Sequence, residues 1–417
     1  MKPERIVHLG LGAFFRAHQA YYTAKASDGA NWGIVAYTGR SSEQSDLMNA
    51  QGCRYTLITR AADGDSFETI DSVVRTAPGA DIEDLKETLA NPAIAIVTLT
   101  ITEAGYQIKD LNLPNTALGR LALALNHRFI ETGLPIALVP CDNLPANGEV
   151  LKAALLKLGE QLGAAFLDYL STVSFVTTSI DRITPKTQPE DIALVLKATS
   201  VKDQIPVVTE EFSDWVLSGE FPLGRPNWES AGARFVEDIE PFENRKLWLL
   251  NGAHSLMSFL GQQRGHETVD EAIADPEILA AVNRFWDEAA NHLDEELLQI
   301  RSYRKALLER FSNPRIGYRL TQIAQEGLSK LIVRIVPVAL RELAEGRYPQ
   351  GCAEAIASWV WLMQSGRELR DARAAEIEAA SGPHELIALV SDLQSQPEFV
   401  AKVLDRATEL ETQLIER

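Results

Sequence analysis

The sequence predicts an α/β fold, a doubly wound parallel sheet in the N-terminal part followed by a mostly α-helical C-terminal domain. Three observations carry the prediction. Short, nearly continuous apolar runs alternate with longer helical stretches as far as Thr177. A glycine pair follows the first of these runs, and from Ile239 onward apolar residues recur at helical spacing. Strands buried on both faces read as unbroken apolar runs, and βα alternation builds a parallel sheet.

Taken in order, strands are expected at Arg5–Leu9, Gly33–Tyr37, Ile94–Ile101, Ile136–Pro140 and Val173–Thr177. Helices such as Leu113–Phe129 and Asn147–Leu162 lie between them. From Gln204 to Asp238, the residues Pro206, Pro222, Gly224 and Pro226 interrupt any long helix, so an irregular or β-rich extension is expected. Helical spacing then runs through Leu247–Phe259, Ile278–Ala289, Leu320–Leu331, Val336–Leu343 and Ala353–Met363. It resumes over Glu385–Leu414, with a break near Gln396-Pro397. The expected domains are therefore 1–238, the sheet with its extension, and 239–417, the helical part.

The 417 residues carry a net charge of −18, with 40 basic against 58 acidic side chains. Nucleic-acid and polybasic membrane-surface binding both rest on clustered Lys and Arg, so both are excluded as expectations. Cys53, Cys141 and Cys352 lie far apart with no CxxC spacing, which predicts neither a disulfide framework nor a structural zinc site. The chain enters an apolar strand directly after Met-Lys-Pro-Glu, with no signal-peptide pattern, so a cytoplasmic location is expected. The apolar run Leu331–Leu340 is too short to span a bilayer. The histidines show no metal-ligand spacing, so no metal is expected. No heptad seam is visible, and a monomer is expected.

The strand Arg5–Leu9 runs into Gly10-Leu11-Gly12, and a helical pattern follows. Two glycines at a strand-to-helix turn permit a tight bend and close approach of a diphosphate, the signature of a Rossmann-type dinucleotide-binding domain. Phe15 stands where the third fingerprint glycine belongs. Arg16 either faces the diphosphate or is an ordinary exposed arginine. The second strand ends in Tyr37-Thr38-Gly39-Arg40-Ser41-Ser42, with no acid for a ribose 2′-hydroxyl before Glu43. Arg40 and the two serines suit a 2′-phosphate or a plain surface turn. NAD versus NADP therefore stays open.

A second constellation lies in the helical part. At about 100° per residue, Asn251 falls about 140° around from Lys246, and His254 about 80°. All three share one side of a helix, amid Leu247, Trp248, Leu249 and Leu250. A lysine, an amide and an imidazole on an apolar helix are costly to bury unless paired or used. The functional reading is a metal-free dehydrogenase site. Lys246 is its general base, Asn251 hydrogen-bonds the developing alkoxide, and His254 orients a substrate hydroxyl. The ordinary alternative is a snorkelling lysine, a capped amide and a satisfied core histidine.

Several separated motifs together resemble the mannitol dehydrogenase family of polyol-specific long-chain dehydrogenases. They are Ile6-Val7-His8-Leu9-Gly10-Leu11-Gly12-Ala13-Phe14 with Arg16-Ala17-His18-Gln19, Thr100-Ile101-Thr102-Glu103-Ala104-Gly105-Tyr106, and Cys141-Asp142-Asn143-Leu144 with Asn147-Gly148. Ser179-Ile180-Asp181-Arg182-Ile183-Thr184-Pro185 and the stretch Lys246 to His254 complete the set. The resemblance implies a Rossmann domain, a helical substrate domain, and zinc-independent hydride transfer with an NAD cofactor, NADP not excluded. Together with the reading of the two strand ends, this puts Gly10, Gly12, Phe14, Arg16 and Arg40 forward as cofactor-binding residues. It implies Lys246 as general acid/base, Asn143 and Asn251 facing the reacting oxygen, and Glu243 linked to proton release. His254 and Lys330 are implied as substrate-binding, and Asp181 either contacts the site or pairs with Arg182.

Family substrates are open-chain polyols and sugar acids. The segment Arg319-Leu320-Thr321-Gln322-Ile323-Ala324 looks more like fructuronate reductases than like mannitol 2-dehydrogenases. There Arg319 and Lys330 would hold a carboxylate, since a planar guanidinium matches its two oxygens. The alternative for Arg319 is a surface ion pair. The expected reaction is D-fructuronate to D-mannonate, with mannitol to fructose second. A non-catalytic dinucleotide-binding sensor is the rival from another class.

Overall fold

The computed structural model describes residues 2–39, 41–108, 111–366 and 370–415. The chain forms two compact units, Met1–Glu240 and Pro241–Arg417.

In the first unit the strands are β1 (Glu4–Leu9), β2 (Gly33–Tyr37), β3 (Tyr55–Arg60), β4 (Asp65–Ile70), β5 (Val73–Ala77) and β6 (Ile96–Leu99). They continue with β7 (Ala137–Pro140), β8 (Ser174–Phe175), β9 (Thr177–Asp181), β10 (Val207–Thr209), β11 (Asp214–Ser218) and β12 (Arg234–Phe235). The central sheet has the order β5-β2-β1-β6-β7-β8, every neighbouring pair being parallel. Its strands alternate between two cores: Ile6, Ile34, Ile96 and Val139 face one, while Val7, Val35, Val97 and Leu138 face the other. Burial on both faces explains the unbroken apolar runs.

The expected strands are present, with Ile94–Ile101 trimmed to β6 and Val173–Thr177 divided between β8 and β9. Three strands were not anticipated. β5 contains Arg75 and Thr76, and Arg75 is paired with Asp84 and Glu4 at this edge of the sheet. The β3–β4 hairpin pairs antiparallel, and β4 is mostly half-buried or exposed. Neither gives a continuous apolar run. The expected β-rich extension holds β10, β11 and β12, and β11 pairs with β12 and with β9, which precedes the extension.

The second unit is helical, apart from an isolated bridge between Thr268 and Arg319. The helices Ala253–Gln263, Pro276–Ala290, Gln350–Gln364 and Pro397–Ile415 pack together around Phe259, Phe285, Trp286 and Trp359. Two expected helices differ. Leu320–Leu331 is two short helices, Leu320–Ile323 and Gly327–Arg334, broken where Glu326 takes φ +55°. The stretch expected as one α-helix over Leu247–Phe259 begins as a π-helix, Lys246–Gly252.

Candidate functional site

The strand order reverses between β1 and β6, and in open α/β sheets ligands sit outside the strand ends at such a switch point. Gly10 and Gly12 lie there. Gly10 has φ +111°, and a Cβ on it would stand 2.0 Å from the Thr100 carbonyl oxygen, so only glycine fits. The Gly10 and Leu11 amides both donate to Tyr37 O at 2.9 Å, which draws the turn over the end of β2. Gly12 is different. Its φ is −122°, and a Cβ there would meet nothing of the protein closer than Gly10 O at 3.6 Å. The fold does not require glycine at this position; the missing side chain leaves open room.

His8 holds the turn from beneath. Its Nε2 is 3.1 Å from Gly10 O, and its Nδ1 is 2.8 Å from Thr98 Oγ1. A carbonyl only accepts, so Nε2 carries the proton and Nδ1 accepts from Thr98. Burial pushes the His8 imidazole down to about 3, so it stays neutral. Phe15 stacks on it with ring centroids 3.6 Å apart. The aromatic residue in the third glycine's place is therefore packing for His8. Phe14 is half-buried and stacks on His18.

Arg16 departs from expectation. It is 5% exposed and donates to Gly12 O at 3.3 Å and Ile205 O at 2.5 Å. Its guanidinium is drawn inward, tying the glycine turn to the start of β10 rather than facing a diphosphate. Arg40 lies outside the described residues. Arg182 donates to the carbonyls of Ala17 and Glu210, while Asp181 ends β9 opposite Asp214 and is buried.

Asn143 is exposed on the loop after β7. Its neighbour Asp142 accepts from the amides of Ile101 (3.1 Å) and Thr102 (2.8 Å) and from Tyr106 OH (2.7 Å). Burial nevertheless raises the Asp142 carboxyl above its usual range. Thr102 is held at φ +67°, a strained conformation for a β-branched residue. Asn147 is fully buried and exchanges two hydrogen bonds of 2.9 Å with the Thr178 backbone. The block around Asn143 is thus a clamp joining the ends of β6, β7 and β9. Nothing in the spacing of these residues signalled it.

In the second unit the π-winding changes the angular arithmetic around Lys246. With i→i+5 hydrogen bonding, five residues make little more than one turn. Asn251 therefore comes round to the Lys246 stripe instead of lying well to one side. Both side chains are half-buried. Glu243, half-buried, precedes Lys246 in the helix Glu240–Arg245. His254, one turn after Asn251, is 7% exposed between the rings of Phe311 (4.8 Å) and Tyr318 (5.6 Å).

The π-turn is held from outside. Trp286 Nε1 donates to Leu249 O at 2.7 Å. Arg334 Nη1 donates to Asn251 O at 3.3 Å and to Ser255 Oγ at 3.1 Å. A Cβ on Gly252 would come within 2.5 Å of the Phe285 ring, so the glycine admits that packing. Arg334 carried no signal in the sequence: it read as a charge inside an apolar run.

Lys330, one turn before Arg334, is half-buried and donates to Ile323 O at 2.9 Å. The expected Arg319–Lys330 clamp is corrected. Arg319 lies beyond the break at Glu326, is exposed, and forms an ion pair with Glu267 at 3.0 Å. All three cysteines are free and buried. Among the described residues, no group of three or more His, Cys, Asp or Glu is placed to hold a metal ion, and no helix is long and apolar enough to cross a membrane.

Comparison with known proteins completes the description. The model of the mannitol dehydrogenase Rossmann domain matches residues 4–230, and that of the mannitol dehydrogenase C-terminal domain matches residues 238–411. A D-mannonate oxidoreductase of Escherichia coli is 33% identical over 86% of this chain and 80% of its own length. A substrate-free D-sorbitol dehydrogenase superposes with a TM-score of 0.91 at 28% identity, covering 99% of this chain and 94% of the other. The Pseudomonas fluorescens mannitol 2-dehydrogenase, solved with NAD and D-mannitol, gives 0.81 at 30% identity, covering 100% and 95%. On these matches, the chain is an oxidoreductase belonging to the mannitol dehydrogenase family.

Proposed function

We propose that the protein interconverts a secondary alcohol and a ketone on an open-chain sugar acid or polyol, using NAD. The observation that supports this best is the π-turn, which puts Lys246 and Asn251 on one stripe with His254 a turn beyond. The room left at Gly12, beside the switch point, fits a dinucleotide diphosphate. Bound nicotinamide supplies the hydride acceptor or donor.

In the oxidising direction Lys246 Nζ takes the alcohol proton, which requires its neutral amine. Asn251 stabilises the developing alkoxide by hydrogen bonding, and Asn143 is the second amide in that role. Glu243 passes the proton on toward solvent. His254 and Lys330 bind substrate hydroxyl or carboxylate oxygens.

D-fructuronate/D-mannonate is the favoured pair, supported by the relative named D-mannonate oxidoreductase. Mannitol/fructose is the second reading, favoured by the engagement of Arg319 with Glu267. The test is NADH and NADPH oxidation over a panel of ketoses and keto-uronates. Fructuronate reduction with NADH is expected; a clear preference for fructose overturns the sugar-acid assignment. Cofactor binding without oxidation by any panel member overturns the catalytic reading and favours a sensor.

A further inference from the structure

The turn after β6 and the loop after β7 meet at one carboxylate, that of Asp142, which is 8% exposed. Its Oδ1 accepts from the Thr102 amide at 2.8 Å. Its Oδ2 accepts from the Ile101 amide at 3.1 Å and from Tyr106 OH at 2.7 Å. Both oxygens face a backbone N–H, which can only donate. A side-chain amide of the same shape cannot serve, because its NH2 would be turned against one of those N–H groups.

These bonds hold a conformation the chain resists. Thr102 at φ +67° persists only where its surroundings over-determine it. From this turn the linkage runs two ways. Toward β1, Thr100 Oγ1 donates to Gly10 O at 2.9 Å and ties the turn to the glycine pair. Along the loop after β7, the Asp142 carbonyl accepts from the Leu144 amide at 2.8 Å and from Asn147 Nδ2 at 3.2 Å. Asn143 is therefore exposed on a backbone that is fixed on both sides.

We propose that Asp142 is a positioning residue, whose carboxylate sets Asn143 in register with the nucleotide turn. This rests on the reading above that puts Asn143 at the reacting oxygen. Asp142 turns its own oxygens to donors of the protein, so it acts through Asn143 and not on the substrate. Losing it displaces the amide, and a shift of about 1 Å costs about 100-fold in rate. Dinucleotide binding survives, because Gly10 keeps its bonds to Tyr37 O and Thr100 Oγ1.

The test compares Asp142→Asn, Asn143→Ala and the double variant in the full-length protein, with the panel ketone that wild type reduces fastest. Asp142→Asn should lower kcat about 100-fold while NADH affinity, from fluorescence titration, stays within about threefold. The double variant should be no slower than Asn143→Ala, since residues acting as one unit are not additive. A second readout needs no turnover: D-mannonate, or D-mannitol, titrated into the NADH complex, a pair that cannot exchange hydride. Asp142→Asn and Asn143→Ala should weaken that binding alike, by about tenfold, the worth of one hydrogen bond. If Asp142→Asn fails to fold, Tyr106→Phe decides by the same split, with a kcat loss under about tenfold. Unchanged kcat in Asp142→Asn, a parallel loss of NADH affinity, or multiplying effects in the double variant each overturn the proposal. Full turnover in Asn143→Ala instead places the fault in the reading of Asn143, and the proposal falls with it.

Discussion

The nucleotide turn and the lysine turn both depend on a glycine, and they are built in opposite ways. At Gly10 the constraint comes from the adjoining strand ends: β2 receives its amide, and Thr100 after β6 leaves no room for a Cβ. Around Gly252 the constraint comes from side chains distant in sequence. Trp286 lies 37 residues from the carbonyl it caps, and Arg334 lies 83 residues from Asn251. The first turn is a property of a topology. The second exists because tertiary donors satisfy carbonyls in a widened helix, and π-helical segments inside α-helices are frequent at functional sites.

This contrast can be broken at four points. The largest effect is expected for Lys246→Ala, which should lower turnover by about 10²–10⁴-fold, the usual worth of a general acid/base. NADH binding, followed by fluorescence titration, should stay nearly unchanged. Turnover surviving at neutral pH would show that the lysine is not the base.

Next, the two glycines of the nucleotide turn should separate. Gly10→Ala is expected to cost about 3 kcal/mol or more in urea unfolding, from its backbone strain together with the clash against Thr100. Gly12→Ala should leave stability within about 0.5 kcal/mol, as ordinary open positions do, and instead weaken NADH binding. If both act alike, the distinction between a fold-imposed and a ligand-imposed glycine is wrong.

Arg334→Ala tests the lysine turn. Loss of its bonds to Asn251 O and Ser255 Oγ should lower kcat by up to about 100-fold through misplacement of the turn, with KM for NADH unaffected. Arg334→Lys should recover part of it. A variant that melts earlier yet keeps kcat assigns Arg334 to stability alone.

The smallest effect is set by His8. Its imidazole is pushed down to about 3 by burial, while in the unfolded chain it titrates near the ordinary histidine value of about 6.5. Between these values the unfolded state binds more protons, so stability falls as pH drops from about 6.5 toward 3. His8→Asn should flatten that dependence in urea midpoints measured between about pH 7 and pH 5. An equal slope in both proteins would mean that His8 is not buried in its neutral form.

The doubly wound sheet, the glycine turn and the Lys246–Asn251–His254 spacing were all legible in the sequence. Each is local, written in apolar periodicity or in residues close along the chain. For Arg16 and Arg319 the sequence left two readings open, for a common reason. A charged side chain looks available until its partners are known, and those partners, Ile205 and Glu267, lie far off in sequence. Phe15 looked like a defect in the fingerprint and proved to be the ring that covers His8. β5 and the β3–β4 hairpin were missed because threonines and paired charges interrupt their apolar residues, so no continuous apolar signal results.

The sequence by itself determined which residues form the strands around the switch point, because burial on both faces demands unbroken apolar runs. It also marked the Gly10-Leu11-Gly12 turn, whereas the close approach of Thr100 decided that Gly10 must be glycine. Tertiary structure alone decided the winding of Lys246–Gly252. An α-helix and a π-helix bury nearly the same side chains and differ in which carbonyls need an outside donor. Only the arrival of Trp286 and Arg334 supplies those donors, and with them the alignment of the lysine and the amide.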